Sequence, residues 1–314
     1  MMMSKAIKRG LVISTATGTS ELLSGASLRV SYISNILQSL KYEVKVVAIS
    51  DVNNALSETY DVIVVISYAC ARILRKARTR TTNLWFDPYD SWLSFRLSMI
   101  RQLKLLHVLA LIRDMYFIQR APKLEIVTFI SIDDARRHRK FSAKFNNYIL
   151  PIQFPRIAVS QSSETRLMFV GDGKYSPNRQ ALALLNQIGE ASGQIVNIVG
   201  RGYPERSNLA FCNFLGYVAD SDLYHDKDIH LAPIISGAGI KTKIALPLFL
   251  GLRVIALEQA ATGLRFNKNL KIAKNICDFT HHIFDFEQDR LWAYEGITEK
   301  IYEKDDLEEL IRNL

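Results

Sequence analysis

The chain has 314 residues, 48% of them hydrophobic and 23% charged, which fits one large or two ordinary globular domains and argues against disorder. Its formal charge is +9, and its three cysteines (Cys70, Cys212, Cys277) show neither CxxC nor metal-ligand spacing, so buried structural thiols in a reducing compartment are expected. No long apolar leader follows Met1–Lys8, and the run Leu105–Ile112 is too short to span a bilayer, so a cytoplasmic location is expected.

The positive charge is unevenly placed. Between Arg72 and Lys144 sixteen Lys or Arg face six Asp or Glu. No zinc finger, RNP-like aromatic motif or helix-turn-helix accompanies them, which argues against nucleic acid as a partner. An anionic membrane surface, an anionic substrate or a plain basic surface all fit.

In chain order, short β-branched runs predict strands at Gly10–Thr15, Glu43–Ser50, Asp61–Ser67, Thr82–Asp87, Glu125–Ser131 and Asn146–Pro151. Helix-compatible segments, such as Leu28–Leu40 and Ala71–Arg78, lie between them. The stretch Pro151–Thr165, with two prolines and a polar cluster, predicts a linker. The alternation then restarts: strands at Arg166–Asp172, Gln194–Gly200, Phe211–Val218, Ile229–Ile235, Arg253–Glu258 and Lys271–Cys277, with helices from Pro177 and Lys241. Asp305–Leu314 predicts a closing amphipathic helix. Fully apolar strands alternating with helices indicate parallel sheets covered on both faces. The expected architecture is α/β, with two Rossmann-like domains over 1–155 and 156–314 and a cleft between them. In such sheets ligands bind beyond the carboxyl ends of the strands.

That rule selects the candidate residues. After the first strand a Gly/Ser/Thr-rich loop enters a helix near Ala26 or Ser27, with Gly25 before it and Arg29 in its first turn. Free N–H groups there suit a phosphate or a sugar hydroxyl, and an ordinary capped surface loop fits as well. After the fourth strand, "WFDPYDSW" supplies Asp87 and Asp90, as catalytic carboxylates, sugar-hydroxyl ligands or helix-capping groups. A following helix, Trp92–Val108, carries a stripe of Trp92, Phe95, Met99, Leu103 and Leu106, with Arg96, Arg101, Lys104 and His107 off it. Two readings fit the stripe equally: packing on the sheet, or contact with anionic lipid.

Three strands of the second half end in glycine-bearing loops with basic residues. They carry Gly171 and Lys174, then Gly200 and Arg201, then Gly237, Gly239, Lys241 and Lys243. Backbone amides and fixed cations converging on one sheet edge describe a pocket for a nucleotide diphosphate. For Asp87 and Asp90 no metal-binding role follows, since nothing else nearby supplies ligands.

The stretch "FVGDGKYSPNRQAL…VNIVGRG…FLGYVADSDLYHDKDIHLAPIISGAGIKTKIALPLFLGLRVIALEQAATGL" resembles the donor-binding half of family 4 glycosyltransferases with the GT-B fold. The likeness covers Phe169–Leu264. It is looser in the first half, through "SGASLR", "WFDPYDS" and "ISIDDARRHRK". The resemblance implies retaining transfer of a sugar, of the hexosyltransferase type. The donor would be a nucleotide-sugar, of UDP or GDP type. The acceptor hydroxyl would belong to a glycan, lipid-linked or protein acceptor, and the implied setting is bacterial surface glycan or glycoconjugate synthesis. It implies no divalent metal and no separate cofactor, and a peripheral place at the inner face of a membrane. Gly237, Gly239, Lys241 and Lys243 match the segment at the donor phosphates. Gly200 and Arg201 match the loop under the nucleobase or ribose. Gly25 and Arg29 match the loop facing donor sugar and phosphate. Asp87 and Asp90 stand where relatives carry a histidine or aspartate near the reacting sugar. One departure is plain: relatives carry a ribose-binding glutamate where this chain has Leu246, followed by Pro247. Either Glu258 or another acceptor takes the ribose on this reading, or nucleotide binding is weakened. The alternative is a degenerate GT-B subunit without catalysis, binding a partner or a glycan.

Overall fold

The computed structural model describes residues 7–15, 25–89, 96–97, 100, 106–131, 134–136, 147–150, 152–203, 209–236, 239–264 and 268–288. Asp90, Gly237 and the predicted helix Asp305–Leu314 lie outside them, as does most of Trp92–Leu105. The chain divides into two compact units that meet in sequence at Gln153–Phe154.

The first unit is built in order from β1 (Lys8–Ser14), α1 (Gly25–Ser39), β2 (Tyr42–Ala48), α2 (Val52–Ala55), β3 (Val62–Ile66), a 3-10 turn (Tyr68–Ile73) running into α3 (Leu74–Arg78), β4 (Asn83–Tyr89), α4 (Leu106–Gln119), β5 (Ile126–Phe129) and β6 (Asn147–Ile149). The six strands form one parallel sheet in the order β2-β1-β3-β4-β5-β6. Burial explains the strand compositions. Every residue of β3, Val-Ile-Val-Val-Ile, is buried, because side chains of both parities meet a covering layer. Val62 and Val64 join Val30, Ile33, Leu37 and Trp85 on one face, while Ile63 and Val65 join Leu11, Leu74 and Phe86 on the other. Each such Val or Ile stabilises the fold by about 1.5–3 kcal/mol.

The second unit contains β7 (Arg166–Val170), α5 (Ser176–Ser192), β8 (Val196–Val199), β9 (Cys212–Gly216), α6 (Asp220–Leu223), β10 (Asp228–Ala232), α7 (Thr242–Phe249), β11 (Arg253–Leu257), β12 (Leu270–Ala273) and α8 (Ile276–Gln288). Its parallel sheet runs β12-β11-β10-β7-β8-β9. Counted from the first strand of the unit, that is the order 3-2-1-4-5-6, whose direction reverses between β7 and β10. The crevice outside the carboxyl ends of these two strands is where such a sheet receives a dinucleotide or nucleotide.

Pro247 lies inside α7, beyond its first turn, so the Lys243 carbonyl gets no i+4 donor from that ring nitrogen. Two expectations need correcting. Cys277 is exposed, whereas Cys70 is buried and Cys212 half-buried; burial pushes the Cys70 thiol up to about 12 and that of Cys212 to about 11. Leu106, placed on the apolar stripe of a helix expected to end at Val108, lies in a helix that runs on to Gln119, and it is 81% exposed. No described helix is long and apolar enough to cross a membrane.

Candidate functional site

In the second unit the loops after β7 and β8 are joined backbone to backbone. Gly171 N–H donates to the Val199 carbonyl (2.9 Å) and Gly173 N–H to the Arg201 carbonyl (2.8 Å). Gly200 has φ +144°, and a Cβ there would stand 1.8 Å from the Gly171 carbonyl oxygen. The loops close this tightly only because the residue at 200 has no side chain.

The bare side of Gly171 is covered by two polar side chains from different elements. A Cβ on it would come within 2.5 Å of Asn178 Nδ2 and 3.0 Å of Lys243 Nζ. Asn178, buried in the first turn of α5, donates from Nδ2 to the Asp172 carbonyl (2.7 Å) and accepts from Lys243 Nζ through Oδ1. The Lys243 ammonium lies 4.7 Å from the centre of the Phe169 ring. Although the residue keeps some surface, its charged end is enclosed. Burial, reinforced by the nearby Lys241 charge, pushes its pKa down to about 7. Among the described residues Asn178 is its one hydrogen-bond partner, and no carboxylate pairs with it. A desolvated cation facing a neutral amide at the β7/β10 reversal is an arrangement completed by an anion.

The other predicted residues of this unit stand around it. Lys241 caps α7 from a half-buried position and donates from Nζ to the carbonyl of Gly239 (2.9 Å). Gly239 itself is buried with φ +67°. Lys174 is exposed, its N–H held by Asp172 Oδ1 (2.7 Å). Arg201 is exposed and stacks over Tyr217 at 4.7 Å. Glu258 is exposed, directly after β11. Leu246 is buried in α7. Sequence reasoning missed Asn178. Its only signal was the helix-opening Pro-Asn pair, and a lone amide carries no charge to flag it.

The first unit places Arg29 and Asp87 together rather than in separate roles. Asp87 closes the β4 core run and Arg29 lies in α1; both side chains are 0% exposed. Asp87 Oδ2 accepts from Arg29 Nε (2.8 Å) and Thr128 Oγ1 (2.6 Å) and forms an ion-pair contact with Arg29 Nη2 (2.7 Å), while Thr128 Oγ1 accepts from Trp85 Nε1 (2.8 Å). Arg29 Nη1 also donates to the Leu150 carbonyl at the end of β6. Asp87 Oδ1, buried as well, has no partner among the described residues. As placed, neither side chain is presented to solvent. Gly25 opens α1, half-buried. Nearby, Ser67 ends β3 with φ +79°, a strained conformation for a non-glycine residue, and its N–H donates to the Asp87 carbonyl (2.7 Å).

No protein-family model matches the chain, and no curated protein matches it by sequence. Solved structures do. Sucrose-phosphate synthase from Thermosynechococcus elongatus superposes with a TM-score of 0.66 at 11% identity, over 91% of each chain. HepE from Anabaena, determined in complex with UDP and glucose, gives a TM-score of 0.59 at 12% identity, over 90% of each chain. The fold is GT-B. At such identities the likeness concerns architecture: two parallel six-stranded sheets with flanking helices.

Proposed function

We propose that the chain is a glycosyltransferase that holds a nucleotide-sugar against the β7/β10 edge of its second unit. The observation that carries this reading is the enclosed Lys243 ammonium, without a carboxylate partner, at the point where the sheet order reverses. The donor diphosphate supplies the missing counter-charge, with Lys241 and the backbone around Gly239 beside it. Gly171, Gly200, Arg201 and Lys174 form the rim toward the nucleoside. Glu258 stands as the exposed carboxylate for the ribose in place of the buried Leu246. HepE, of the same fold, was determined with UDP and glucose, which favours UDP over GDP as the first donor to try.

Chemically, Lys243 opposes the charge that grows on the departing diphosphate, and needs no metal to do so. Retention at the sugar carbon and a hexosyl donor follow the resemblance to family 4 enzymes, as do a glycan, lipid-linked or protein acceptor and a role in bacterial surface glycans. Because Asp87 is wholly buried, its role in this proposal is to position Arg29 and the carboxyl edge of the first sheet; Asp90 is the remaining carboxylate for the reacting sugar. The cytoplasmic face of a membrane is the proposed location. Leu106 (81% exposed), Leu109 (67%), Ile112 (60%) and Tyr116 (49%) present an apolar face of α4, and the segment around it is basic.

One observation favours a second reading, a GT-B subunit without turnover: Leu246 offers no carboxylate, and Arg29 and Asp87 are both withdrawn from solvent in one pair. Thermal shift with UDP-, GDP-, CMP- and dTDP-sugars, followed by hydrolysis assays on any binder, separates the two. Stabilisation with turnover supports the enzyme, stabilisation alone the subunit, and no stabilisation by any donor overturns the site.

A further inference from the structure

Helix α8 carries His281, His282 and Asp285, whose ligand atoms all lie within 4.8 Å of one another. Helical spacing causes this: Asp285 is four residues beyond His281 and three beyond His282, so it neighbours both. Asp285 Oδ2 is 3.3 Å from His281 Nδ1 and 3.7 Å from His282 Nδ1. The second distance exceeds a hydrogen bond. Both are close to the edge of a tetrahedron around an ion with bonds of 2.0–2.2 Å, about 3.3–3.6 Å.

A second observation, independent of the clustering, concerns His282. Its Nε2 lies 3.2 Å from the Ile272 carbonyl. A carbonyl only accepts, so Nε2 carries the proton, and the neutral ring then has its lone pair on Nδ1, turned toward Asp285. His282 Nδ1 is buried and without a hydrogen-bond partner among the described residues. An imidazole anchored through one nitrogen to a backbone carbonyl, with the other left as a bare donor, is the arrangement that orients histidine for a metal. A plain surface ion pair requires no such anchor.

From this we infer that His281, His282 and Asp285 form a site for a divalent first-row transition ion such as Zn²⁺, with water completing the shell. Two imidazoles and a carboxylate suit Zn²⁺ or Co²⁺ rather than Mg²⁺ or Ca²⁺. The site is not part of the donor pocket. Ile272 belongs to β12, the outermost strand of its sheet, whereas the pocket lies over β7 and β10. The ion would fix the His282 ring in the orientation that meets that edge strand through the Ile272 carbonyl, and raise stability by binding only the folded chain.

The test uses the untagged full chain. Co²⁺ is titrated with its visible absorption as readout, Zn²⁺ by calorimetry, and thermal unfolding is followed with and without Zn²⁺. Expected are one ion per chain, a rise in Tm with Zn²⁺, and at least a tenfold loss of affinity in each of H281A and D285N; even outer-shell partners cost about 10–100-fold. His281 is largely exposed, so H281A leaves the fold intact, with far-ultraviolet circular dichroism as the check. C277S, which alters the exposed thiol on the same helix, should bind like wild type. Absence of saturable uptake overturns the inference. Uptake unchanged in both ligand variants overturns it too, as does loss of uptake in C277S.

Discussion

Asp87 and Arg29, 58 residues apart in sequence, form a fully buried ion pair in which one carboxylate oxygen accepts from Arg29 Nε and the Thr128 hydroxyl and lies against Arg29 Nη2. Such a pair contributes little net stability while intact, but removing one partner leaves an uncompensated buried charge. D87N should therefore destabilise the first unit by about 3–5 kcal/mol in urea unfolding. Replacing both partners with apolar residues, D87L with R29M, should recover most of that loss. A D87N chain within 1 kcal/mol of wild type would contradict this account of the pair.

The glycine loops of the second unit should separate packing from binding. G200A drives a methyl group into the Gly171 carbonyl from a backbone angle that alanine rarely adopts, so it should cost stability by roughly 3 kcal/mol or more. G171A presses on the ends of Asn178 and Lys243 instead, so ligand affinity should fall further than Tm does. Thermal unfolding with and without UDP measures both. Equal loss of stability in the two variants would remove the distinction.

His230 supplies the pH prediction. It is buried in β10 against Tyr224, and burial holds its pKa down at about 4, against an ordinary 6.5. The unfolded chain therefore binds more protons than the folded one between these values, so this contribution is whole above pH 6.5 and is lost as pH falls toward 4. By pH 4.5 the loss is on the order of 2–3 kcal/mol. H230L should keep stability near wild type at neutral pH and lose less of it on acidification. Parallel urea curves at pH 7 and 4.5 decide, and an unchanged pH slope in H230L would refute the assignment.

For α4, vesicles containing anionic lipid should co-sediment the protein, and salt should weaken the association. L109S together with I112S should reduce binding without unfolding the chain, because both side chains are largely exposed. Binding indifferent to lipid charge, salt and these substitutions would exclude this face.

The strands were the legible part of the sequence. Runs such as Asp61–Ser67 and Arg253–Glu258 are apolar in both parities and too short for helices, and each proved to hold a buried parallel strand. The loops at the second sheet edge were equally visible, because glycine beside lysine is a rare composition. What escaped was set by tertiary packing. Nothing local to Arg29 announces that Asp87 neutralises it, so it read as a ligand-binding cation. Helix α4 was missed because periodicity arguments assume that the apolar face is buried, whereas here Asp114 is buried, paired with Arg96 and Arg113, and the leucines are exposed. Arg96, assigned to a basic face, is thereby already paired.

The most direct measurement is calorimetric titration of wild type and K243A with UDP and a UDP-sugar at pH 6.5, where the Lys243 ammonium is largely charged. A charge-assisted phosphate contact is worth roughly 1.5–3 kcal/mol, so K243A should bind about ten- to a hundredfold more weakly, with K241A less affected and neither Tm lowered without ligand. Affinity equal to wild type in both variants would contradict a donor diphosphate at the β7/β10 edge.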